Sequence, residues 1–235
     1  LSRRQRQMCI RDRYMKRLCG MGLPMGLQTS ITAVGNVILQ TSVNGLGSVA
    51  VASVTAASKL SSFFSTATDS LGVTMSTYAG QNIGARKPRR VLTSMYVSLF
   101  WAFSFGVVFG VLSCVFGTQL LGLYSPDPAV IQVGLNRMYI VCGPYFLCGI
   151  MDVMTGVLRG VGYSLLPMIV SLMGACVFRI FWVMTIFAAN RTMDCLMISY
   201  PVSWALTFLV LVVIFAVLWK KKIRPRYTPE ELAAR

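Results

Sequence analysis

Five charged residues, Lys59, Asp69, Arg137, Asp152 and Arg179, stand inside long apolar runs of this sequence. An ionised side chain in hydrocarbon is expensive, so such residues face a bundle interior or a wet cavity and mark paths for ions or substrates. A lone carboxyl there is a natural proton or cation site, because burial disfavours its charge and a bound proton or cation removes it. Asp152 shares a helical face with Arg159 and lies deeper, while Arg159 reaches the cytoplasmic surface. Asp152 serves either as that site or as a salt-bridge partner of Lys59 or Arg179, and the two roles are not exclusive. Arg179 is permanently ionised and needs an acid, carbonyls or water. The expected arrangement is therefore an ion-pair network of Lys59, Asp69, Asp152 and Arg179. Arg137 lies near the outer end of its run, where its side chain snorkels.

Polar residues gather on faces around these charges. Gln28, Thr32, Asn36 and Gln40 recur every four residues. At 100° per residue they drift only about 40° per step and form one stripe. The stripe either lines a cavity or bonds neighbouring helices together. In "TAASKLSSFFSTATDSLG", Lys59, Ser62, Thr66 and Asp69 fall within about 80° of one face. Lys59 and Asp69 are about 15 Å apart along the axis, too far to pair directly. Packing alone explains two charges and several hydroxyls poorly, so a water-accessible pathway is the favoured reading of this face. Gly22 and Gly26, around Pro24, mark a close packing contact or a kink.

Those faces must be carried by membrane helices. The chain has 235 residues, 55% hydrophobic and only 12% charged, against about 25% charged in a soluble domain. A bilayer core needs roughly 20 apolar residues as a helix, and six segments qualify: 23–43, 49–78, 91–116, 130–158, 165–188 and 196–219. Short connections with Gly, Pro and Asn join them, among them residues 80–90 and 159–164. The expected fold is all-α, a polytopic bundle of six transmembrane helices. Pro144 removes one backbone hydrogen bond and bends the fourth helix. The first 13 residues, "LSRRQRQMCIRDR", resemble a translated sequencing-adapter read and lack a signal-peptide core of about 7–15 apolar residues. They are expected to be a non-native leader on a fragment, with the membrane lobe at 14–222 and a cytoplasmic tail at 223–235.

Composition also excludes. The sequence contains no histidine, the commonest general base, and no catalytic arrangement of Ser or Cys with a base, so an enzyme is not expected. No cofactor and no metal site are expected. Seven cysteines, mostly in apolar runs and without C-x-x-C, behave as small hydrophobes. A net charge of +15 does not indicate nucleic acid, because the basic residues form short clusters between apolar runs rather than one face. Their placement is topological. With the N-terminus in the cytoplasm, the inward connections and tail hold Lys16, Arg17, Arg86, Lys87, Arg89, Arg90, Arg159, Lys220, Lys221, Lys222, Arg224, Arg226 and Arg235, while the outward ones hold only Arg191. This is the positive-inside pattern, and the clusters also suit anionic lipid.

Three segments resemble the multidrug and toxic compound extrusion (MATE) transporters: "GLPMGLQTSITAVGNVILQ", "YAGQNIGARKPRRV" and "GVLRGVGYSLLPMIVSLMGACVFRIFWV". They resemble that family's seventh helix, its loop after the eighth, and its eleventh helix, in order and over about residues 20–222. The resemblance implies half of a twelve-helix antiporter in the bacterial plasma membrane, whose N-terminal lobe belongs to the same chain. It implies export of small organic cations against protons or sodium. Lys59, Asp69, Asp152 and Arg179 are then candidates for ion coupling, with Gln28, Thr32, Asn36, Gln40, Ser62 and Thr66 lining the substrate cavity. The chain departs from many relatives in lacking an acid on the first helix and in placing Cys176 where a Glu precedes the membrane arginine. Asp152 best matches the family's C-lobe acid. Alternatives are a lipid-linked oligosaccharide flippase of related fold, which wants a cavity rich in Arg and Lys, and a non-transporting membrane scaffold. The helical reading predicts that the protein leaves membranes only with detergent, and that impermeant reagents label both termini from the same side.

Overall fold

The computed structural model describes residues 3–228 and residue 231, and among them there is helix but no strand. Helices satisfy every backbone group within one segment, which is what an apolar surrounding requires. Helix α1 (Arg3–Asn44) turns through Gly45–Gly47 into α2 (Ser48–Gly84), and α3 (Pro88–Val115) follows. A short α4 (Gly117–Gly122) leads to α5 (Pro128–Cys142), α6 (Phe146–Gly160), α7 (Leu165–Leu172), α8 (Phe178–Trp182) and α9 (Met193–Leu218). The Asp127 side chain accepts from the Ala129 N–H at 2.9 Å and Pro128 opens α5, a common N-terminal cap.

The breaks explain themselves chemically. Pro144 sits at φ −85°, ψ 22° in a three-residue turn, so the expected fourth helix is bent into α5 and α6. The rod expected at 165–188 is continuous but widened by π turns at Met173–Val177 and Val183–Phe187. The connection expected at 80–90 shrinks, because α2 runs on through Gly84. The Lys87 N–H reaches the Asn82 carbonyl at 2.8 Å and the Arg86 N–H the Ile83 carbonyl at 3.2 Å, with Arg86 at φ 55°. That is a Schellman ending. It recurs after α6, where Gly162 takes the left-handed position at φ 97° without a Cβ penalty.

Four of the rods are long and apolar enough to cross a bilayer: Pro88–Val115, Pro128–Gly160, Leu165–Phe187 and Met193–Arg226. Helices α1 and α2 have the length but not the hydropathy, since the polar stripe and the Lys59–Asp69 face dilute them. The fold is a multi-pass membrane bundle with four such spans among the described residues, against the six expected. Phe100 and Trp101 on α3, Phe181 on α8 and Val213 on α9 stay exposed, as a lipid-facing surface should. Of the expected leader, residues 1 and 2 lie outside the described residues, and from Arg3 the backbone is helical and continuous with α1. Of the tail, residues 229, 230 and 232–235 lie outside them.

The interior is built on α6, which packs against α2, α3 and α9. Met75 and Ala79 from α2, Val91 from α3, Val153 and Val157 from α6 and Leu211 from α9 form a buried cluster. The α2–α6 seam is unusually close. A Cβ on Gly156 would strike the Gly72 carbonyl, and one on Gly160 would strike the Ser76 carbonyl. Small residues of this kind let helix backbones approach in membranes, where dispersion and packing hold helices together. Helix α1 joins α2 near their shared turn through Leu39, Val43, Ala50 and Val54. It otherwise leans on α7 and the π turn after it, leaving clefts between α1 and α2. Replacing Gly156 with Leu should force α2 from α6 and cost about 1–3 kcal/mol; a melting curve of the detergent-purified protein, lowered by several degrees, is the expected readout.

Candidate functional site

Two clefts open along α1 and α2: the first gathers two acids and one arginine, the second two arginines and no acid. The first has a volume of about 430 Å3 and is lined by Asp69 of α2, Asp152 and Arg159 of α6, and Gln28 and Thr32 of α1. Asp152 is one turn from Gly156, and Asp69 one turn from Gly72, so the glycine seam sets their separation. The two carboxyls face the same cleft from the two helices. Cys148, one turn before Asp152, places its Sγ 3.7 Å from Oδ2. Two facing carboxylates repel, and a shared proton or a cation between them removes the repulsion. Arg159 turns inward and donates to Gln28 Oε1 at 2.8 Å, tying α6 to α1. The expectation that Arg159 reaches the surface is therefore corrected.

The second cleft, about 520 Å3, holds Arg137 and Arg179 with Asn36, Gln40, Ser58 and Ser62. Arg137 does not snorkel. It is only 6% exposed, and donates to the Val54 carbonyl at 3.1 Å and Ser58 Oγ at 3.0 Å. Arg179 is 7% exposed; its Nε donates to Ser203 Oγ at 3.1 Å and its guanidinium lies 4.0 Å from the Tyr200 ring centre. Neighbouring helix carbonyls, hydroxyls and an aromatic face thus shelter both cations. Tyr145 and Trp204 meet edge to face at 5.7 Å beside them. The clefts adjoin, since Thr32 and Ala175 line both.

The expected four-residue ion-pair network does not form. Among the described residues the ion pair within 4.0 Å is Arg86–Glu231, at 3.4 Å, far from these clefts. Lys59 is exposed on α2 and lines neither cleft. Arg179 and the two acids occupy different clefts, so Asp152 has neither of its expected cationic partners. The shared face of α2 is real: Lys59, Ser62, Thr66 and Asp69 are all exposed along it. Thr66 lines neither cleft, however, and its Oγ1 donates to the Ser62 carbonyl at 3.0 Å, as helix-borne hydroxyls commonly do. Both readings of the α1 stripe hold in part. Gln28 bonds α1 to α6, while Thr32, Asn36 and Gln40 line a cavity. Tyr145, Tyr200, Trp204 and Ser203 were not foreseen. The one-turn spacing of Tyr200 and Trp204 was the available signal, and aromatic pairs on apolar helices are too common to stand out.

The MatE family model matches residues 24–185. Over 207 residues the chain is 23% identical to the probable multidrug resistance protein YoeA of Bacillus subtilis, covering 87% of this chain and 44% of that protein. It is 26% identical over 155 residues to the multidrug resistance protein PmpM of Pseudomonas aeruginosa, covering 66% of this chain and 32% of the other. The chain therefore spans less than half the length of these relatives. The bent form of the Vibrio cholerae MATE transporter VcmN has the same fold, with a TM-score of 0.84 at 16% identity over 92% of this chain and 49% of that one. A match across most of an all-helical membrane bundle, in sequence and in fold, places this chain in the MatE family.

Proposed function

We propose that this chain is the C-terminal lobe of a secondary active antiporter that exports small organic cations in exchange for protons or sodium. In the full-length protein a second lobe of six helices completes the transporter, α1 and α2 add two spans to the four apolar rods, and both termini face the cytoplasm across the plasma membrane. The observation that carries the reading is the meeting of Asp69 and Asp152 in one cleft. A bound proton, sodium ion or organic cation relieves their mutual repulsion, and competition for the same carboxyls is the simplest basis for exchange.

Binding must also move the protein. A ligand shifts a two-state balance only by its difference in affinity for the two states, typically 1–3 kcal/mol of coupling. Three soft points interrupt the rods that carry Asp152 and Arg179: the Pro144 bend before α6, and the π turns on either side of α8. Bent and interrupted helices of this kind are common where transporters rearrange. The Gln28–Arg159 bond spans α1 and α6, so it tightens or breaks as those helices move. The multidrug resistance proteins among the relatives support drug efflux over oligosaccharide flipping.

The test is efflux from everted membrane vesicles carrying the full-length protein, driven in turn by proton and sodium gradients. Asp152→Asn and Asp69→Asn should each lower gradient-driven export by about tenfold or more and flatten its dependence on pH. Unchanged export and pH response in Asp152→Asn would overturn the assignment.

A further inference from the structure

The arginine cleft lies outside the pair of acids assigned to coupling, and it holds two buried positive charges. Both Arg137 and Arg179 are more than nine-tenths buried, at 6% and 7% exposure. No acid lines the cleft, and among the described residues no carboxylate lies within 4.0 Å of either guanidinium. Their own hydrogen bonds leave donors over. Arg137 Nε is buried without a partner among the described residues. Arg179 spends only its Nε, on Ser203, and its two terminal NH2 groups bond to none of the described residues. Buried cations of this kind are costly until an anion compensates them.

We propose that this cleft binds the carboxylate or phosphate of an organic anion, either an aromatic acid or the headgroup of an acidic lipid. Guanidinium groups present paired N–H donors in a planar fork that matches those oxyanions. The hydroxyl of Ser58 and the amides of Asn36 and Gln40 supply neutral donors without an opposing charge. Tyr145, Tyr200 and Trp204 form an aromatic wall against which the ring of an aromatic acid stacks. The volume of about 520 Å3 holds a molecule of drug size. The site stands beside the acid cleft rather than in it, so the proposal does not depend on the coupling assigned to Asp69 and Asp152. An acidic lipid headgroup and a soluble aromatic acid share the chemistry the cleft recognises.

Equilibrium binding of radiolabelled 1-naphthoate to the purified full-length protein in neutral detergent, with no ion gradient, tests it. The wild type should bind, and unlabelled 1-naphthoate should displace the label while its neutral isostere 1-naphthamide does not. Arg179→Gln should raise the Kd by about tenfold or more, as expected for a charge-assisted hydrogen bond. Arg179→Lys should fall between Arg179→Gln and wild type, and Asp152→Asn should stay within about twofold. Displacement by added phosphatidylglycerol supports the site and names lipid as the natural source; failure of that displacement supports it with a soluble acid. The proposal is overturned if the wild type does not bind, if 1-naphthamide competes as well as 1-naphthoate, or if a folded Arg179→Gln binds unchanged. The competition needs only wild-type protein, so it decides the matter even where an arginine variant fails to fold.

Discussion

The close approach of α2 and α6 organises this lobe. At Gly156 and Gly160 the two backbones meet with no room for a Cβ, and dispersion between helices is strong only at such contact. Everything charged on the acid side takes its place from that seam. Asp152 stands one turn before Gly156 and Asp69 one turn before the facing Gly72, so the carboxyls converge. Helix α6 is also the hub against which α3 and α9 bury Val91 and Leu211. A helix held on three sides by apolar packing can present an acid to a cavity in a fixed position, because the surrounding core resists the displacement that repulsion would otherwise cause.

Charge of opposite sign is not paired directly: among the described residues Arg159 shares the acid cleft but bonds Gln28, and Arg137 and Arg179 lie in the other cleft. A direct Asp–Arg pair would be the simplest way to lower the cost of burying either ion, but it would also occupy the carboxyl. Here hydroxyls, carbonyls and the Tyr200 ring hold the arginines, and the carboxyls are left to each other and to the cleft. The protein thereby retains reactive electrostatics on both sides of Thr32. Sheltering arginine by neutral donors and π faces is weaker than pairing it, and it leaves the cation able to attract an anion.

Rigid and compliant parts alternate along the chain. The α2–α6 seam and the cluster around Leu211 are close-packed, whereas the Pro144 break and the π turns beside α8 interrupt regular hydrogen bonding within single rods. Such breaks are tolerated at membrane depth where neighbouring protein covers the freed backbone groups. Because they flank α6 and α8, which carry Asp152 and Arg179, motion there would move both clefts while the seam stays intact.

Apolar run length, turn residues and charge placement determined, from the order of amino acids alone, that this chain is a helical membrane bundle with polar faces on its first two helices. The Pro144 bend and the family were legible for the same reason, since each rests on local stereochemistry or contiguous residues. Partner choice was not legible. The spacing of Lys59, Asp69, Asp152 and Arg179 was compatible with one network, and tertiary packing separated them: Lys59 to the surface, the acids together across the glycine seam, Arg179 to Ser203 and Tyr200. Helical periodicity specifies which residues share a face of one helix. Which faces meet depends on the rotation and distance of helices far apart in sequence, and those are decided by the fit of small and large side chains at the contact.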